Sequence, residues 1–137
     1  MEPRRIPVFF YGMFMDAELL RGKGADPRNI RPATADGYAL QIGQRAALVP
    51  AAGSRAHGML MELSHADLDL LYSEPSVNMY RAEPVLCESG GATLAAITFN
   101  LPAAPSAEES NAAYAEKLRE LAQRLGLPAE YVERIGR

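Results

Sequence analysis

At 137 residues with 48% apolar side chains, the chain can bury one sizeable core, and a single domain over 1–137 is expected. Fourteen basic against 17 acidic residues leave a formal charge of −3, and apart from Arg4-Arg5 the basic residues are scattered, which disfavours a phosphate-tracking nucleic-acid surface. Cys87 is the only cysteine, which rules out an intrachain disulfide, and with His57 and His65 as the only histidines a Cys/His-rich zinc site cannot be assembled; the expectation is an intracellular protein with no metal.

No run approaches the ~18–20 apolar residues of a bilayer-spanning helix. The segment after Arg4-Arg5 lacks a small-residue cleavage site, so a soluble, cytoplasmic protein without a membrane partner is expected.

In chain order, Val8-Phe9-Phe10-Tyr11 reads as a strand that breaks at Gly12, where a glycine lets the backbone amides emerge into a loop. Asp16 can cap a short helix through Arg21 that ends at Gly22 or Gly24. Pro27 and Pro32 mark the segment from Lys23 to Ala35 as loop. Gly37 to Ile42 and Ala46 to Val49 read as a hairpin around Gly43-Gln44-Arg45, Pro50 to Ser54 as a loop, and Ala56 to Leu63 as the next strand.

Ser64 and Asp67 form a capping-box signature for a helix through Tyr72, which Pro75 stops near Ser73. Tyr80 to Glu88 and Thr93 to Asn100 make a second hairpin around Ser89-Gly90-Gly91. After an Ala/Pro-rich linker from Pro102 to Ser106, a helix is expected from Ala107 to Leu125. Ser106 and Glu109 would cap it, with Tyr114, Leu118, Leu121 and Leu125 as its apolar stripe. A short last helix over Ala129 to Ile135 completes a helical segment at about 107–135. Strands in hairpins outnumber helices, which predicts an α+β fold: a small mixed, largely antiparallel β-barrel or sheet with flanking helices.

Three features then fall in order: Phe10-Tyr11-Gly12-Met13-Phe14-Met15 after the first strand, Gly58-Met59-Leu60-Met61-Glu62-Leu63 before a capped helix, and Leu70-Leu71-Tyr72-Ser73-Glu74 followed by Met79-Tyr80-Arg81. Their order and spacing resemble the γ-glutamylcyclotransferase-like superfamily, including its AIG2-like branch, over about Val8 to Asn100. The resemblance implies that Glu74 is the catalytic carboxylate. It also implies that Tyr11, Gly12, Met13, Phe14 and Met15 form the loop whose amides hold the substrate, and that Tyr80 is the tyrosine after the acid. The implied reaction is attack of a γ-glutamyl α-amine on its own γ-carbonyl, giving 5-oxoproline and a free amine, with a small-molecule substrate and neither cofactor nor metal.

That chemistry needs one carboxylate to take and return a proton, and donors for the developing oxyanion. The chain departs from the family pattern at Met13, where a hydroxyl residue is usual, at Leu71, where the pattern has Asp, and at Pro75, where a small residue commonly follows the acid. These departures keep open a non-catalytic binding module with an apolar pocket on the same fold. Taken without the resemblance, Glu74 reads as a solvated carboxylate, and Tyr11 and Tyr80 as half-buried core aromatics. Arg45 and Arg81 are candidate carboxylate partners or plain surface charges. Homodimerisation through exposed apolar surface is open, although no segment names such a face.

Overall fold

The computed structural model describes residues 2–137. Its five strands are β1 (Arg5–Phe10), β2 (Arg28–Ile42), β3 (Ala46–Ser64), β4 (Arg81–Ser89) and β5 (Ala92–Asn100). They close into a barrel in the order β1-β3-β2-β4-β5. Every neighbouring pair is antiparallel except β1 and β5, which meet in parallel with Val8 opposite Ile97. Closure is completed by single register pairs, Val8 with Ile97 and Thr34 with Glu88. The expected α+β, largely antiparallel barrel is therefore the fold observed.

The uninterrupted apolar run of β1 follows from the barrel being covered on its outside. Side chains alternate across a strand. Phe9 and Tyr11 pack into a cluster drawn from all five strands and their borders, with Ala35, Leu60, Val85, Cys87 and Ala96. Val8 and Phe10 face the other way, into a cluster with Leu20, Leu71, Leu118 and Leu121 from the helices. Both faces of β1 are thus dry, and no polar position can alternate in. Gly58 of β3 is obligatory beside it, because an added Cβ would stand 2.1 Å from the Phe10 carbonyl oxygen and 2.9 Å from the Phe9 ring. Cys87 is fully buried in the barrel, and burial pushes its thiol up to about 11, consistent with a packing role.

Two expected loops are strand. β2 begins at Arg28 despite Pro32, which pairs in register with Met59 of β3. β2 meets β4 through one register pair, Thr34 with Glu88, so the missing Pro32 N–H interrupts little ladder on that side. β3 runs unbroken through Pro50 to Ser54; the register jumps from Asp36 opposite Arg55 to Tyr38 opposite Pro50. The turn chemistry there is real, with Gly37 and Gly53 at φ 83° and 80°, but it makes a bulge that bends a long hairpin rather than a loop that ends a strand.

The helices are α1 (Ala17–Gly22), α2 (His65–Leu71), α3 (Ala112–Arg124) and α4 (Ala129–Arg134). Asp16 caps α1 and the Ser64 side chain caps α2, as the sequence predicts. α3 starts five residues later than expected, at Ala112 rather than Ala107. Glu109 does accept from the Ser106 N–H at 3.0 Å, but its other oxygen accepts from the Gln44 N–H at 3.2 Å, tying this segment to the β2–β3 turn. Asn111 is the true cap, accepting from the Tyr114 N–H at 3.1 Å. None of the described helices is long and apolar enough to cross a membrane.

Candidate active site

β1 ends at Phe10, and the chain turns out of the barrel over Tyr11 and Gly12. The Tyr11 hydroxyl donates to the Phe99 carbonyl at 2.8 Å and lies 3.2 Å from Asn100 Oδ1, pinning the strand end to the end of β5. Met13–Met15 then forms one 3-10 turn, closed by the Met15 N–H on the Gly12 carbonyl at 3.0 Å. The Met13 N–H donates to Tyr114 Oη at 3.4 Å. The N–H groups of Gly12 and Phe14 donate to no acceptor among the described residues. A Cβ on Gly12 would lie 2.8 Å from Tyr114 Oη, so the loop and α3 can approach this closely only at a glycine.

This loop lines a cavity of about 500 Å³. Its walls are aromatic: the Tyr72 ring stacks on Phe99 with centroids 4.0 Å apart and meets Phe14 edge-on at 5.5 Å. The Tyr80 hydroxyl donates to the Ala46 carbonyl at 2.6 Å, whereas the Tyr72 hydroxyl has no hydrogen-bond partner among the described residues. Burial pushes the hydroxyls of Tyr11, Tyr72, Tyr80 and Tyr114 well above the ordinary tyrosine range, reinforced at Tyr11, Tyr72 and Tyr80 by neighbouring tyrosines. All four are neutral at physiological pH, able to donate and accept hydrogen bonds but not to act as bases.

Glu74 is the only carboxylate lining the cavity among the described residues. α2 ends at Leu71 with Tyr72 as its C-cap, and a turn follows in which the Val77 N–H donates to the Glu74 carbonyl at 3.0 Å. Pro75 occupies the second position of that turn, where its fixed φ is favourable. The departure from the family pattern at Pro75 thus stiffens the segment that carries the acid. Glu74 Oε1 accepts from Lys23 Nζ at 2.7 Å, with 38% and 27% of the two side chains exposed, so the pair sits on the rim.

The structure brings Glu74, Tyr11, Gly12, Met13, Phe14 and Tyr80 to one cavity. Met15 is not there: it is 1% exposed and packs in the core beneath the helices. Arg45 lines the cavity while its Nε donates to the Ser76 carbonyl at 3.1 Å; Arg81 is bound to the carbonyls of Asn78 and Tyr80 and lies outside the lining. Among the contributors that escape the sequence reading are Lys23, Tyr72, Phe99 and Tyr114. Tyr114 sits on the same helical stripe as the core leucines, and only its hydrogen bond to Met13 sets it apart.

A second cleft of about 440 Å³ lies elsewhere, lined by Arg55, His57, Tyr131 and Arg134 among others. Arg55 is committed to Asp36 at 2.6 Å, and burial, followed by the nearby Arg55 charge, pushes His57 below its ordinary value. Among the described residues, no group of three or more His, Cys, Asp or Glu side chains is placed to hold a metal ion.

Three solved structures share the fold. An uncharacterized human protein, loc79017, aligns with a TM-score of 0.77 at 21% identity, covering 96% of this chain and 86% of the other. YkqA from Bacillus subtilis gives 0.77 at 24% identity over 95% of this chain, which spans 52% of that protein's length. A protein named gamma-glutamyl cyclotransferase gives 0.76 at 20% identity, covering 96% and 86%. No curated protein matches the chain in sequence. The family profile described as gamma-glutamyl cyclotransferase, AIG2-like, matches residues 8–119, and the chain belongs to that family.

Proposed function

We propose that this protein is a cyclotransferase acting on a γ-glutamyl amine or peptide. The observation that carries the reading is the meeting, in one aromatic cavity, of a single carboxylate, Glu74, with a Gly12–Phe14 loop that holds two uncommitted N–H groups. Glu74 takes a proton from the substrate's ammonium. The freed α-amine attacks the γ-carbonyl, and the bond to the leaving nitrogen breaks as Glu74 returns the proton to it; the attacking nitrogen then sheds its second proton to the released amine, giving 5-oxoproline and an ammonium. The amides of Gly12 and Phe14 supply donors for the carbonyl oxygen as it gains charge. The neutral tyrosines exclude water and shape the cavity without competing for the proton. On this reading the whole chain works as one cytoplasmic domain on a small molecule, with no cofactor.

A second reading has its own observation. Met13 stands where the family usually carries a hydroxyl, and the cavity wall is largely aromatic, which suits a non-catalytic pocket for an apolar ligand. The two readings part on 5-oxoproline formation from a panel of γ-glutamyl peptides and amines, with Glu74→Gln beside the wild type. Turnover lost in the variant supports catalysis. Silence of the folded wild type across the panel supports the binding module.

A further inference from the structure

We propose that Lys23 is the receptor for the substrate's α-carboxylate, and that the Lys23–Glu74 ion pair is a charge-exchange device selecting a zwitterionic α-amino-acid head. The proposal rests on the cyclotransferase reading of the cavity and specifies which head group that cavity accepts.

Lys23 follows α1 directly, and its backbone N–H is fixed on the carbonyls of Leu19 and Leu20 at 3.2 and 3.1 Å. α1 is in turn capped by Asp16, whose own N–H donates to the Met13 carbonyl at 3.2 Å. The Gly12–Met15 loop, α1 and Lys23 are therefore consecutive in the chain, and both the loop and Lys23 line the cavity. Nζ has a single partner among the described residues, Glu74 Oε1 at 2.7 Å.

A partly exposed Lys–Glu pair contributes little net stability, so it can be opened cheaply. Once open, the pair leaves an ammonium and a carboxylate at the mouth of a largely aromatic cavity, where one ligand can take up both. A substrate head with an ammonium and a carboxylate on one carbon satisfies both at once: its ammonium takes the place of Lys23 on Glu74, and its carboxylate takes the place of Glu74 on Lys23. The exchange delivers the α-amine to the group that must deprotonate it. It also supplies an anion contact in a loop where Met13 offers no hydroxyl. Arg45, the other cation in the lining, donates through Nε to Ser76 and lies in the β2–β3 turn, on a different segment from the loop unit.

The test compares a γ-glutamyl peptide with its α-carboxamide analogue, in which the head keeps the amine and loses the negative charge. Steady-state kcat and KM are measured for wild type, Lys23→Met and Lys23→Arg. The wild type should prefer the carboxylate substrate by about 10- to 100-fold in kcat/KM, the range of a charge-assisted hydrogen bond. Lys23→Met should abolish that preference, mainly by raising KM for the carboxylate substrate far more than for the carboxamide; Lys23→Arg should retain most of it. Equal depression of both substrates in Lys23→Met, or a wild type indifferent to the carboxylate, overturns the inference and leaves the cyclotransferase reading standing. A wild type inactive on both substrates overturns the two together.

Discussion

The two cavities are nearly equal in size, about 500 and 440 Å³, yet they differ in what their polar groups are committed to. In the second, Arg55 is held by Asp36, partial burial moves His57 toward its neutral form, and the buried Tyr131 hydroxyl lacks a hydrogen-bond partner among the described residues. In the first, two amides and a tyrosine hydroxyl have no partner among the described residues, and the one acid there is held by a partly exposed lysine. Groups left uncommitted inside an apolar wall cost stability unless a ligand uses them. Volume does not separate a site from a crevice here; an acid beside uncommitted loop amides in an aromatic wall does.

Four changes would sharpen or break this contrast. The largest effect is expected at Glu74→Gln, which should lower kcat by about 10²- to 10⁴-fold, the usual worth of a general acid–base. Its melting temperature should stay close to the wild type, because the residue is partly exposed and sits in a weak pair. Loss of activity with loss of folding would make Glu74 structural. Next, Gly58→Ala should destabilise by roughly 2–4 kcal/mol in denaturant titration, since its Cβ would stand 2.1 Å from a backbone oxygen that cannot retreat without breaking β1 from β3.

Gly12→Ala should act more gently on stability, by about 1 kcal/mol, because its clash is with the end of a side chain, Tyr114 Oη. Its effect on turnover should exceed that, as the loop is pushed away from α3, and Tyr114→Phe in the same chain should restore part of the loss by removing the clashing oxygen. Additive effects of the two substitutions would break the claimed contact.

The smallest effect is expected at His57. Its folded pKa lies below the unfolded value of about 6.5, so the unfolded chain binds the proton more readily. The stability it contributes is present above that value and is lost as pH falls through it. A thermal melt series should show the midpoint dropping below about pH 6.5, with His57→Gln removing part of the drop and leaving turnover within about twofold. A large change in turnover would give the second cleft a role in catalysis.

Much of this is legible in the sequence because the signals are local. The caps at Asp16 and Ser64, the Ser89-Gly90-Gly91 turn and the apolar run of β1 each depend on neighbours in the chain, and each is found in the structure. The failures have a common cause. Pro32, and the segment from Pro50 to Ser54, carry loop chemistry that pairing across the barrel overrides. Ser106 and Glu109 do bond as a box, but Gln44 recruits the second Glu109 oxygen, and the helix waits for Asn111.

The same division holds for the site. Glu74 and the Tyr11–Phe14 loop are visible through motif order, although Met15, next in the motif, turns into the core because the 3-10 turn reverses the chain there. Lys23 and Tyr114 are invisible in sequence, since one opens an expected loop and the other lies on the apolar stripe of a helix. Contacts across 51 and 101 residues, from Lys23 to Glu74 and from Met13 to Tyr114, are what give them a part in the cavity.

The most direct test of the central claim is 5-oxoproline release by the purified protein from γ-glutamyl peptides and amines, measured beside folded Glu74→Gln. The account predicts release by the wild type that falls at least about a hundredfold in the variant. Release that is unchanged in Glu74→Gln would contradict it, because the only carboxylate in the cavity would then take no part in moving the proton.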